Sequence, residues 1–314
     1  MEKRVLGRTG LEVSVVGLGC NNFGGMIRSL DIEGARKVVH AALDAGITLL
    51  DTSDSYGVNG GSEITLGEVL GDRRKDVVLA TKFASPLNRE KSNRYNGSRG
   101  YIMNAVEDSL RRLKTDYIDL YQYHFPDPQT PVEETLRALD DLVKQGKVRY
   151  LGCSNLPAWM LVDASWTSRH HNLHSLQSTQ AEYNLISRTA ETELFPAMHR
   201  TGMTLLPYFP LASGLLTGKY RKGQALPEDT RMNMAYFKSG LTDANLDKVE
   251  KLIGFSEARG RTILELAFSW LACQPIVSSV IAGATRPEQV VANAAAASWN
   301  LTAAELAEID TICK

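Results

Sequence analysis

The sequence predicts an α/β protein built on a parallel sheet, and three observations lead there. Short apolar, β-rich runs alternate with amphipathic stretches at helical spacing along almost the whole chain. Such alternation is the pattern of parallel strands joined by crossover helices. The 314 residues are 43% hydrophobic and 23% charged, enough apolar material for a large core under an ordinary polar surface.

Taken in order, residues 13–18 read as a strand and 33–45 as a helix that Gly46 stops. A strand over 47–50 follows, and Ser62 is placed as the cap of a short helix ending at Leu70. A strand over 77–81 precedes a helix over 99–113 opened by Ser98. Next come a strand over 117–123, a helix over 131–145 stopped by Gly146, a strand over 148–152 and a helix over 157–168. Further strands fall at 176–181, 204–208 and 277–282. Helices are expected at 191–200, 243–259, 262–272 and 287–297, and a last one at 303–312 capped by Thr302. This makes eight strand–helix units, with one extra helix before the last strand and another after the last unit. Counting units does not separate an open doubly wound sheet from a closed eight-stranded barrel. No repeat, low-complexity tract or Pro/Ser-rich linker divides the chain, so one domain over 1–314 is expected.

Charge excludes some partners. The 35 basic and 36 acidic side chains nearly cancel, which gives no general pull toward nucleic acid or an anionic membrane. A small, mostly neutral ligand is expected instead; oligomeric state stays open. Cys20, Cys153, Cys273 and Cys313 are scattered without a CxxC pair, which argues against a zinc site or a disulfide framework and fits a cytoplasmic location. The start, Met1-Glu2-Lys3-Arg4, carries no secretory signal, and no long regulatory extension is expected ahead of the fold. Residues 266–285 lack charge, but Gln274-Pro275 and Ser278-Ser279 interrupt them; helix, turn and buried strand is the reading, with no membrane anchor.

The chemistry is written at the strand ends. Asp51 closes one apolar run, Lys82 another and His124 a third, and Tyr56 follows Asp51 within one loop. A carboxylate, a phenol, an ammonium and an imidazole at the same end of adjacent parallel strands make a proton-transfer site. Two long polar connections, 85–100 and 219–241, leave the same ends and are expected to line or cover a substrate pocket.

Together, Asp51-x4-Tyr56-Gly57, Thr81-Lys82, Tyr123-His124, Gly152-x-Ser154-Asn155 and Gln180-x-x-Tyr183-Asn184 resemble the aldo-keto reductase superfamily. Tyr208-x-Pro210-Leu211-x-x-Gly214 and the stretch from Ile281 to Asn293 extend the likeness over almost the whole chain. The resemblance implies a single (β/α)8 TIM barrel with long strand-to-helix loops over the site. It also implies reduction of aldehydes or ketones with NADP(H) bound in extended form. In that reading Tyr56 is the general acid, and Lys82, held by Asp51, draws the phenol toward the working range from its usual pKa of about 10. His124 orients the carbonyl oxygen and stabilises its developing charge. Glu at the position of His124 would suit C=C reduction; His124 argues against that chemistry. A regulatory subunit that binds NADP(H) and senses redox state is the competing class.

Gly17-Leu-Gly19-Cys-Asn-Asn22 fails as a dinucleotide fingerprint at its third glycine, so no Rossmann site is expected. The resemblance supplies other contacts. Ser154, Asn155 and Gln180 would meet the nicotinamide carboxamide, and Tyr208 would stack on the ring. Pro210, Leu211, Gly214 and Leu216 belong to a turn whose backbone N–H groups approach the pyrophosphate, with Lys219 assisting. Gly283 and Thr285 lead into a helix start where Arg286 would pair with the 2′-phosphate, favouring NADPH over NADH. Gln289 and Asn293 would face the adenosine. Asn21 makes the neighbouring pocket polar, while Phe23 and Tyr95 are expected as aromatic walls for a small carbonyl substrate.

Overall fold

A computed structural model describes residues 1–25, 29–85, 95–226, 238 and 240–313. Most of the two long loops, including Asn93 and Arg94, lies outside them.

The chain opens with an antiparallel hairpin, β1 (Lys3–Val5) and β2 (Glu12–Ser14). Eight parallel strands follow: β3 (Val16–Gly19), β4 (Leu49–Asp51), β5 (Val78–Phe83), β6 (Ile118–Tyr123), β7 (Val148–Ser154), β8 (Leu176–Glu182), β9 (Thr204–Tyr208) and β10 (Val280–Gly283). Neighbours pair in chain order, and β10 pairs back onto β3. Leu205 closes the remaining seam: its N–H donates to the Ile276 carbonyl at 2.7 Å, and its carbonyl accepts from Ser278 N–H at 3.0 Å. The sheet is therefore a barrel.

Helices wrap it: α1 (Ile32–Asp44), α2 (Gly61–Leu70), α3 (Arg99–Leu113), α4 (Val132–Lys144), α5 (Ala158–His170) and α6 (Leu194–Thr201). After β9 come α7 (Asp243–Glu257) and α8 (Ile263–Ala272), and after β10 come α9 (Pro287–Ala296) and α10 (Ala303–Cys313). Local chemistry fixes their starts. Asp31 accepts from Gly34 N–H to cap α1, and Thr262 and Glu265 form a reciprocal capping box on α8. Ser62 does not cap α2; the residue before the helix, Gly60, holds the cap position in a left-handed conformation. The Ser62 hydroxyl instead bonds the Cys20 carbonyl and the Thr52 hydroxyl, both at 2.7 Å, tying the ends of β3 and β4 to the helix.

The run expected as one strand over 13–18 is two. Ser14 is buried, donates to the Val16 carbonyl at 2.6 Å and accepts from Thr48 N–H at 2.8 Å, turning the chain from hairpin into barrel. The hairpin has a purpose in packing. Leu6 and Val13 join Leu49, Val78, Ala80, Leu120, Leu206 and Ile281 in a cluster inside the barrel, distinct from the larger core between barrel and helices. Alternation along β5 explains the division: Val78 and Ala80 enter the inner cluster, whereas Leu79 and Phe83 enter the outer one. The floor of the barrel is thus apolar and plugged, and polar side chains gather at the other end.

Leu6 is fully buried in that plug, whereas Val5 beside it is 47% exposed. Leu6→Ala should lower stability by about 2–5 kcal/mol, and Val5→Ala should stay within about 0.5 kcal/mol of wild type. Urea unfolding followed by circular dichroism checks both.

Candidate active site

Strand ends and the loop after β4 build the site. Beyond Asp51 the chain turns back so that Tyr56 reaches the end of β5. Glycines make this turn possible: Gly57 and Gly24 both have positive φ, and a Cβ on Gly57 would come within 2.6 Å of the Gly24 carbonyl oxygen. Val58 N–H donates to that same carbonyl at 2.9 Å, locking the loops after β3 and β4 together.

Lys82 is fully buried, and its ammonium makes three contacts: Asp51 Oδ2 at 2.7 Å, the Thr52 carbonyl at 2.8 Å and the Tyr56 hydroxyl at 3.2 Å. Three partners match its three donors. The other Asp51 oxygen accepts from Gln180 Nε2 at 2.6 Å and Gln122 Nε2 at 3.1 Å. Burial pulls the Lys82 ammonium down, but Asp51 and Tyr56 outweigh it and hold its pKa above the usual lysine value. The lysine is charged.

For Tyr56 the balance runs the other way. Burial pushes the phenol up, and Lys82 opposes this without reversing it. The expectation that Lys82 brings Tyr56 down toward neutrality is corrected: its effect has the expected sign, but desolvation of the phenolate is larger. Tyr56 keeps its proton through the neutral range. The rings of His124 and Tyr56 meet at 80° with centroids 5.8 Å apart; His124 also stacks on Phe125 at 4.4 Å and places Nδ1 3.3 Å from the Ser53 hydroxyl.

These groups open onto a cavity of about 560 Å³. Among the residues singled out in the sequence, Asn21, Asp51, Tyr56, His124, Ser154, Asn155, Gln180 and Tyr208 line it near the strand ends. Pro210, Leu211, Gly214, Lys219, Gly283, Thr285, Gln289 and Asn293 continue the lining toward α9. Lys82 lies behind Asp51, and Leu216 is buried beneath the surface. Arg286 is exposed at the start of α9, outside the lining. Tyr95 stacks on Phe125 at 4.7 Å, and Phe125 is the aromatic wall that the sequence reading missed although it directly follows His124. Phe23 is not a wall: it is fully buried in the core, where its backbone bridges Leu30. Leu264, on α8, also lines the cavity, and nothing local in the sequence points to it. A cavity of about 610 Å³ near Arg8, Arg149 and His174 is slightly larger, but none of the four strand-end groups lines it.

Several polar groups are engaged with their neighbours. Gln180 commits its amide nitrogen to Asp51 and, at 3.0 Å, to Gln122 Oε1. Asn155, in a left-handed conformation, donates to the His124 carbonyl at 3.1 Å and Ser154 Oγ at 2.9 Å, and accepts from the Tyr208 hydroxyl at 2.9 Å. Gln289 Oε1 accepts from Thr285 N–H at 2.8 Å, closing the start of α9. The N–H groups of Gly214 and Leu216 both donate to the Leu211 carbonyl, at 2.8 and 3.1 Å, so they do not face outward as expected. Positive φ at Ala212, Ser213 and Gly214 instead bends this segment along the cavity.

A model of the Aldo/keto reductase family matches residues 15–314. The chain belongs to that family. Its similar relatives include a probable voltage-gated potassium channel subunit beta of Oryza sativa subsp. japonica, 37% identical over 302 residues, covering 93% of this chain and 90% of the relative. Aldo-keto reductase YhdN of Bacillus subtilis (strain 168) is 35% identical over 317 residues, covering 99% and 93%. A putative voltage-gated potassium channel subunit beta of Schizosaccharomyces pombe is 34% identical over 322 residues, covering 98% and 92%. The family is one of oxidoreductases. No helix among the described residues is long and apolar enough to cross a membrane.

Removing Lys82 would strand the buried Asp51 carboxylate. Lys82→Met should lower stability by about 3–5 kcal/mol, and Asp51→Asn added to it should recover part of the loss. Chemical denaturation of the single and double variants measures this.

Proposed function

We propose that this protein reduces small aldehydes or ketones to alcohols with NADPH, reversibly. The Tyr56 hydroxyl supports this reading most directly. It contacts a buried ammonium and faces the same cavity as His124. When bound, the reduced nicotinamide supplies the hydride. Tyr56 gives its proton to the alkoxide oxygen as the alcohol forms. A phenol that stays protonated suits the reductive direction, and oxidation of the alcohol should need a higher pH to free the phenolate. Lys82 stabilises the phenolate left behind, and Asp51 keeps Lys82 in place. His124 donates to the carbonyl oxygen, orienting it and stabilising the charge that develops there.

The residues along the cavity fit an extended dinucleotide. Ser154, Asn155 and the carbonyl oxygen of Gln180 would hold the nicotinamide carboxamide, and Tyr208 would stack on its ring. Lys219, beside the bent segment 212–214, would meet the pyrophosphate. Arg286 would pair with the 2′-phosphate, and Asn293 with the amide nitrogen of Gln289 would face the adenosine. Asn21 and Phe125 would bound the substrate end.

A second reading rests on the names of two relatives, which are described as channel beta subunits. In that reading the chain binds NADP(H) and reports redox state to a partner, with little turnover. Steady-state oxidation of NADPH and NADH with a panel of aromatic and aliphatic carbonyls separates the two: rapid turnover supports the reductase, and tight NADPH binding without turnover supports the regulatory subunit. Tyr56→Phe should abolish most reduction while nucleotide binding, followed by fluorescence titration, stays intact. Arg286→Ala should weaken NADPH far more than NADH; equal losses would sink the 2′-phosphate contact.

A further inference from the structure

Helix α5 is apolar on both of its faces. Met160, Leu161 and Ala164 are buried in the core between barrel and helices. On the outward side Trp159 is 69% exposed, Trp166 61% and Val162 41%. A helix that is hydrophobic all round is ordinarily covered on every side. The chain's other two tryptophans, Trp270 and Trp299, are indeed buried. We propose that the outward face of α5 packs on the same face of a second copy of this chain, the two helices antiparallel about a two-fold axis at Trp166. The pairing does not depend on the carbonyl-reduction reading.

Helix geometry makes this face self-complementary. At about 100° per residue, Trp166 sits at the centre of the exposed arc. Val162 and Arg169 flank it on one side, and Trp159, His170 and Asp163 on the other, all of them exposed. The His170 ring stacks on the Trp166 indole at 4.7 Å and 8°, which limits the rotamers of both. A two-fold rotation at Trp166 lays that indole on its own copy and the Val162 methyls on the aliphatic stem of the partner's Arg169. It also sets Asp163, three residues before the axis, beside the partner's His170, with the partner's Arg169 at the same height. Asp163 and Arg169 enter no ion pair among the described residues, so both charges are available to a partner. A parallel pairing would place Asp163 against Asp163, and like charges argue against it.

The amount of surface suits a small dimer. At these exposures the two indoles and Val162 present on the order of 400 Å² of apolar area per copy, within the range of functional patches. With the charged rim, two copies reach the low end of specific interfaces, about 1,200 Å² in total. Tryptophans at the centre and charges at the edge are the arrangement that concentrates binding energy. An anionic membrane fits less well, because Arg169 is offset by Asp163 on α5 and Arg137 on α4 is held by Glu133 at 2.7 Å. Antiparallel pairing also points the two barrels in opposite directions, so the strand-end cavities of both copies stay open.

Two readouts on the full chain test this. In sedimentation equilibrium from about 1 to about 200 µM, the mass of wild type should rise from that of one chain toward twice it, with a micromolar midpoint. Trp166→Ser should weaken association roughly 30-fold or more, while its urea midpoint at low concentration stays that of wild type because the side chain is exposed. Cross-linking reports the direction of the helices. In a Cys273→Ser background, where the remaining cysteines are buried, a mixture of Asp163→Cys and His170→Cys chains should cross-link with a short bismaleimide more than either chain alone. A wild type that stays monomeric throughout, or a dimer that Trp166→Ser leaves intact, overturns the inference. So does Asp163→Cys joining to itself in preference to the mixed pair. A chain that stays monomeric but floats with phosphatidylcholine–phosphatidylserine vesicles, and loses this in Trp166→Ser, overturns it as well and gives the face to lipid.

Discussion

A full positive charge inside the top of a barrel is the constraint on which the rest of this structure depends. Lys82 has no contact with solvent, so every hydrogen on its ammonium needs a partner and its charge needs a counter-ion. Asp51 on the adjacent strand supplies the counter-ion, and its second oxygen then demands donors, which Gln122 and Gln180 provide from two more strands. One buried ammonium thus sets the polar character of four strand ends. The floor beneath can be apolar because the hairpin residues Leu6 and Val13 fill it.

The same requirement organises what surrounds the site. Satisfying Lys82 with the Thr52 carbonyl pins the loop after β4, and that pinning carries Tyr56 to one side and Ser53 with Asp54 to the other. The cavity face holds the phenol and the imidazole, while the helix-packed face holds Asp54 and Glu63. His124 is the side chain that touches both, through its stacking on Phe125 and its contact with Ser53.

Much of this is legible in the sequence because a polar residue ending an apolar run is a local signal. Asp51, Lys82 and His124 are each visible in that way, and Tyr56 follows Asp51 closely enough to share its loop. What is not legible depends on tertiary partners. Ser14 sits in an unbroken β-rich run, and only its bond with Thr48 turns the chain there. Gln180 reads as a free amide until Asp51 is seen beside it. Phe23 follows two asparagines like a loop-tip aromatic, yet close packing of glycines after β3 and β4 turns it inward. Asp54 looks like one more loop carboxylate, and only burial against α2 and α3 distinguishes it. Leu264 comes from a helix far along the chain, where spacing says nothing about the cavity.

Beside the seam that closes the barrel, the hairpin meets a segment far along the chain. Arg4 donates to the Val277 carbonyl and the Ser278 hydroxyl to the Val5 carbonyl, in each case across 273 positions of sequence. During synthesis, β3 is the first of the eight barrel strands to leave the ribosome, and its second neighbour, β10, is the last. Until then the nascent sheet carries two unpaired edges and an inner surface that cannot shed all its water, the kind of surface that holdase chaperones bind. Closure of the barrel therefore waits for translation of β10, and contacts of such long range make it slow.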